Sequence, residues 1–162
     1  MTQTTLFDLG GRWHRVKRCD SRARGIVDGD ILGVAPHYSR QTPGARDFMG
    51  SGWNLVMITD DNRAVWGVIL NRAPGTDVWR WRVSVFRNEG AGRSSDLIRE
   101  ATIRTYIGWR QKYKRTPEVP LTTEVDPTKI LRKRDPGRCF LRAGWTRIGL
   151  SNGLGVLRAP PE

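Results

Sequence analysis

Residues Val78–Phe86 read VWRWRVSVF, and they are followed by RNEGAG (Arg87–Gly92), SSDLIREATIRTYIGWRQKY (Ser94–Tyr113) and PLTTEV (Pro120–Val125). The first run alternates Trp and Val with Arg and Ser, the period-two pattern of a strand. It predicts Trp79, Trp81, Val83 and Val85 on one face, with Arg80, Arg82 and Ser84 turned to solvent or to an anion on the other. Gly90 and Gly92 mark a turn that needs glycine's backbone freedom. The third run has helical spacing. Leu97, Ile98, Ala101, Thr105 and Gly108 form its core stripe with Tyr106 and Trp109 beside it, Ser94 or Ser95 as its cap, and Asp96 in the first turn. Pro117 and Pro120 end the helix. Strand, helix and strand in this order make a βαβ unit, whose two strands lie parallel in one sheet.

Outward from this unit, WNLVMIT (Trp53–Thr59) and AVWGVILNR (Ala64–Arg72) flank the turn DDNR and predict a hairpin. On the carboxyl side, Asp126-Pro127 stops a strand and opens a helix through Lys133. PGRCFLRAGW then forms a short helix capped by Gly144, and WTRIGL and GVLRA are strands about the turn SNG. The amino-terminal part is loop-rich. The first residues and SRARG (Ser21–Gly25) read as mobile, IVDGDILGV (Ile26–Val34) as short extended pieces, and Pro36–Gly52 as loop. The expectation is one α/β domain over residues 1–162, with a loop-rich part (1–52) and a core (53–158) of mixed sheet and helices.

The chain of 162 residues is long enough to bury a substantial core. Its 28 Lys and Arg against 16 Asp and Glu give a formal charge of +12. Such an excess attracts polyanions, nucleic acid first and an anionic membrane second. The sequence has neither an apolar run of membrane-spanning length nor a secretory start, so a cytoplasmic protein is expected. Cys19 and Cys139 show no paired spacing, which suits a reducing compartment, and Cys139 in the run CFL reads as core. His14 and His37 belong to no recognisable ligand set, and no metal site is visible.

The order of elements from Trp53 onward is similar to the GNAT fold of N-acetyltransferases, and Phe140, Gly144 and Trp145 resemble that family's closing signature. RNEGAG then matches in outline the family's R-x-x-G-x-G loop, whose N–H groups bind the coenzyme A pyrophosphate at a helix amino terminus. The departures are Glu89 and the insertion RSSD before Leu97. HYSR, the Trp-rich hairpin, TTEVDPTKI and PGRCFLRAGW together resemble the Mom family of bacteriophage DNA-modification proteins, from about Pro36 to Trp145. That resemblance implies a divergent GNAT-like enzyme in the cytoplasm of an infected host. It would add a small carboxamide-bearing group to adenine N6 in double-stranded DNA and so shield the DNA from restriction. Acetyl-CoA-dependent N-acetyl transfer and non-catalytic DNA binding are the competing readings.

The exocyclic amine of adenine is a weak nucleophile inside a base stack, so the base must be flipped, its amine met by an acceptor, and charge on the donor stabilised. Asp126, at a strand's carboxyl end, is the candidate acceptor or a helix cap. His37 is the candidate proton shuttle, and Tyr38 the base-stacking or oxyanion partner. Arg87 is the candidate anion clamp. Gly90, Gly92, Ser94 and Ser95 are candidate cofactor contacts, with the donor unknown. Arg40, Arg110, Lys112, Lys114, Arg132, Lys133 and Arg134 are candidate DNA contacts.

Overall fold

The computed structural model describes residues 11–37, 39–40, 42–126 and 137–162. Seven strands form one mixed sheet: β1 (Trp13–Val16), β2 (Trp53–Thr59), β3 (Ala64–Arg72), β4 (Trp79–Asn88), β5 (Leu121–Val125), β6 (Thr146–Ser151) and β7 (Leu154–Arg158). Their spatial order is β1-β2-β3-β4-β5-β7-β6. Only β4 and β5 run parallel, joined by the crossover helix α2 (Ser94–Tyr113) as the βαβ reading requires. The β6–β7 turn takes left-handed backbone at Asn152 (φ 50°) and Gly153 (φ 80°), the twist that suits a two-residue hairpin.

Helix α2 and the short α3 (Arg138–Arg142) cover one face of the sheet, and α1 (Ser21–Asp28) covers part of the other. Trp66 is the hub of the α2 face. Its ring stacks on Phe140 (6.2 Å) and meets Phe86 and Trp145 edge-on, and its indole N–H donates to Thr105 Oγ1 at 2.9 Å. Trp145 donates likewise to Thr102 Oγ1, and both threonine hydroxyls donate on to carbonyls one turn earlier in α2. Trp66 and Trp145 thus bury their surface without stranding their indole N–H, whereas the buried Trp81 indole nitrogen has no hydrogen-bond partner. Phe140 and Trp145 are core residues, and the Cys139 thiol is held protonated by burial.

Two expectations are corrected here. Ser21–Asp28 is a helix, not a mobile stretch followed by extended pieces. Asp20 accepts from the N–H groups of Arg22 and Ala23 as its cap, and Gly29 (φ 80°) ends it. Gly29 is therefore a stop just beyond a helix. Second, Val85 does not share a face with Trp81 and Val83. Gly67 pairs with Val85 and Val68 with Val83, so Ser84 is an extra residue in β4, a bulge. Past it, Phe86 joins the α2-side core and Val85 the α1-side core, above Gly67.

The helix expected from Pro127 through Lys133 lies outside the described residues. No helix among the described residues is long and apolar enough to cross a membrane.

Candidate active site

Parallel pairing of β4 with β5 covers only Trp81–Leu121, Arg82–Thr122 and Val83–Thr123. Beyond the bulge at Ser84, β4 continues to Asn88 and β5 to Val125 with no pairing between them. A bulge bends its strand and raises its twist, which accounts for the parting. The resulting opening lies at the carboxyl ends of two parallel strands, where α/β sheets place their sites.

The backbone of β4 turns polar groups toward this opening. Glu89 N–H donates to Arg63 O at 2.7 Å, which makes 63–89 a bonded pair of the antiparallel ladder. Alternation makes Val65–Arg87 and Gly67–Val85 the next bonded pairs, so Phe86 and Asn88 turn their peptide groups away from β3. His37 takes up one of them through a backbone hydrogen bond with Phe86. Its Nδ1 accepts from the Ser39 N–H (3.2 Å) and lies 2.8 Å from Ser39 Oγ. Its own N–H donates to Val27 O at 2.8 Å, fixing the loop to the end of α1. Burial first, and the nearby Arg87 charge second, lower its pKa to about 4. The imidazole is thus neutral at neutral pH. It serves as a positioned hydrogen-bonding group, and a proton taken there would be held only transiently.

Asp126 follows β5 directly, half-buried. Continuing the β4–β5 register sets it level with the Phe86–Arg87 stretch, and strand alternation puts it on the same side as Glu124. The histidine loop and the glycine turn thus lie at the carboxyl end of β4, and Asp126 lies at the carboxyl end of the neighbouring parallel strand β5. Tyr38 lies outside the described residues, as do Arg132, Lys133 and Arg134.

Arg87 is committed to the fold rather than free as a clamp. It donates to Val27 O (3.0 Å) and Ala35 O (2.5 Å), and its Nε lies 3.2 Å from Glu89 Oε1. Glu89 is 4% exposed, neither carboxylate oxygen accepts a hydrogen bond, and burial raises its pKa, with Asp30 adding to the rise and Arg87 and Arg63 opposing it.

The glycine turn is bonded to itself. Asn88 Oδ1 accepts from the N–H groups of Gly90 (3.1 Å) and Ala91 (2.8 Å), while its Nδ2 donates to Gly92 O and Ser94 Oγ. Two amides that would cradle a pyrophosphate are so consumed, with Glu89 buried beside them. Ser94 and Ser95 are the first residues of α2. The cap is Arg93, which makes no side-chain capping bond, so neither serine caps the helix. Ser95 is buried. The arginines Arg12 and Arg63 crowd the turn, their Nη1 atoms 2.8 and 3.5 Å from where β-carbons on Gly92 and Gly90 would stand.

Arg40, expected among the DNA contacts, has a side chain only 2% exposed and turned into the fold. It pairs with Asp28 at 2.6 Å and donates to Asp47 O at 2.7 Å and to Ala45 O. Burial works to raise the Asp28 pKa, but hydrogen bonds from Arg40 and the Gly44 N–H, with the Arg40 charge, outweigh it and the net direction is down. Arg110, Lys112 and Lys114 lie at the far end of α2, a helix of 20 residues and so about 30 Å from the glycine turn. Arg110 pairs with Glu162, and Lys112 donates to Asn54 O at 2.8 Å.

The sequence reading passed over Glu124. It lies 3.5 Å from Arg80 and 3.9 Å from Arg82, so two half-buried guanidiniums share one carboxylate beside the opening. The Nε atoms of both arginines are buried without a hydrogen-bond partner, and burial then the Arg80 charge lower the Arg82 pKa. The alternation of VWRWRVSVF put the arginines on that face; only the sheet order brings Glu124 to them. Among the described residues, no group of three or more His, Cys, Asp or Glu could hold a metal ion.

No protein-family model matches the chain, no curated protein matches its sequence, and no solved structure matches its fold.

Proposed function

We propose that this chain is a GNAT-like, Mom-type transferase that modifies adenine N6 in double-stranded DNA with a small carboxamide-bearing group, protecting phage DNA from host restriction. The observation that carries the reading is the open β4–β5 edge, with neutral His37 seated on Phe86 and Asp126 at the facing strand end, in a chain of charge +12. An extruded adenine needs a slot walled by fixed hydrogen-bonding groups, and this edge supplies them. Asp126 accepts the N6 proton as the bond from N6 to the donor carbon forms and the donor's leaving group departs with its electron pair. His37 orients the base or the donor as a neutral group. Arg80 and Arg82, undercompensated by Glu124, attract phosphate to the same face.

The donor is an activated carboxamide compound, and coenzyme A is disfavoured because Asn88 occupies the Gly90 and Ala91 amides. One feature favours ordinary acetyl transfer: the first turn of α2 lacks a side-chain cap and offers its N–H groups to an anion. Calorimetry with coenzyme A separates the two, and micromolar binding would favour the acetyltransferase.

The decisive test is nucleoside mass spectrometry of DNA from cells making the chain. A deoxyadenosine species of increased mass is expected. Unmodified adenine throughout, with folded protein present, leaves a DNA-binding protein without this chemistry.

A further inference from the structure

At the other end of the sheet, α2 and the chain after it enclose a cavity of about 520 Å³ lined by Trp53, Leu70, Trp79, Trp109, Tyr113 and Arg115, among others. β4 runs from Trp79 at this cavity to Phe86 at the open edge, about 23 Å away, so the two sites are separate. One wall is a rigid aromatic stack. Trp53 lies against Tyr113 (5.3 Å, 29° between planes), and Tyr113 against Trp109 (4.8 Å). The Tyr113 hydroxyl donates to Asn54 O (2.8 Å) and accepts from Asn54 N–H (2.9 Å), which fixes the ring. Trp79 forms the other wall, with the Arg72 guanidinium 5.1 Å from its ring centre. Trp53 and Trp79 are 46% and 43% exposed, a large apolar surface for a solvent-facing position.

The margin carries more cations than carboxylates. Arg115 and Glu118 line the cavity, Arg72 lies over Trp79 and pairs with Asp77, and Lys112 lies 5.2 Å from the centre of the Tyr113 ring. Flat apolar walls with cations at their edge fit a ring that carries phosphate, since a base stacks by its face and its backbone meets the cations. An aromatic side chain from a partner protein would fill the walls but give the cations no role.

We propose that this cavity is a second nucleic-acid site, taking an unpaired base of a polynucleotide strand between Trp79 and the Trp53–Tyr113 stack, with flanking phosphates on Arg72, Lys112 and Arg115. It requires that the chain binds nucleic acid, not that it modifies DNA.

The test is fluorescence anisotropy with a short labelled oligothymidine, which carries no adenine for the other site, while phosphate contacts there are common to the abasic comparison strand. An abasic strand of equal length and free thymidine monophosphate are the comparison ligands. Wild type is expected to bind oligothymidine about tenfold or more tighter than the abasic strand. Trp79→Ala should remove that difference while binding the abasic strand as wild type does. Arg115→Ala should weaken both strands. Trp53→Ala is the second variant, and circular dichroism checks the fold of each. Equal affinity of wild type for the two strands overturns the proposal, as does an unchanged preference in Trp79→Ala. Thymidine monophosphate binding as tightly as the strand overturns it too, by assigning the cavity to a free nucleotide. Adenine modification by Trp79→Ala, read by mass spectrometry, reports on the other site alone.

Discussion

Replacing Asn88 by alanine removes four hydrogen bonds from a single turn: two accepted from Gly90 and Ala91, and two donated to Gly92 O and Ser94 Oγ. An intramolecular hydrogen bond contributes about 0.5–1.5 kcal/mol net, and two of these four are exposed and fall at the low end. The expected loss is about 2–3 kcal/mol. For a chain of this size, 1 kcal/mol corresponds to about 2–4 °C, so the melting temperature should fall by about 4–12 °C. Urea unfolding followed by circular dichroism measures it, with a lower midpoint at unchanged slope. Asn88→Asp keeps both accepted bonds and loses both donated ones, so it should restore only part of the loss. A loss under about 0.5 kcal/mol in Asn88→Ala would refute the view that the turn is held by its own asparagine. The same variant frees the Gly90 and Ala91 amides, yet coenzyme A should still not bind, because the buried Glu89 remains.

Arg40→Ala should destabilise by about 3–5 kcal/mol by leaving Asp28 buried and unpaired, and Arg40→Leu with Asp28→Leu by much less; urea midpoints compare them. His37 titrates at about 4 in the folded chain and at about 6.5 unfolded, so the unfolded state binds the extra proton between those values. Stability should therefore fall by about 3 kcal/mol as pH drops from 6.5 through 4, and His37→Gln should remove most of that slope in unfolding curves taken across this range.

The central βαβ unit and both hairpins were legible because their signals are local. WNLVMIT and AVWGVILNR match β2 and β3 residue for residue, and the stripe from Leu97 to Trp109 is the buried face of α2. What escaped depends on partners distant in the chain. VWRWRVSVF alternates without a break, and only the packing of Val85 over Gly67 and of Phe86 against Trp66 requires the extra residue at Ser84. Arg40 looks like any surface arginine beside His37, until Asp28 folds beneath it. RNEGAG reads as a phosphate cradle if its glycines are counted and Asn88 is not. The positions of His37 in a loop and of Asp126 at a strand end were legible, whereas Arg87's bond to the Val27 carbonyl follows from a helix that the sequence does not announce.

The proposed reaction takes place at the open edge between β4 and β5. Its most direct measurement is the fraction of modified deoxyadenosine in DNA from cells making Asp126→Asn beside cells making the wild-type chain at equal level. Modification in the variant should fall at least a hundredfold while its affinity for duplex DNA stays within about twofold, because a neutral amide cannot accept the N6 proton. Modification at the wild-type level in Asp126→Asn would contradict the placement of the reaction at this edge.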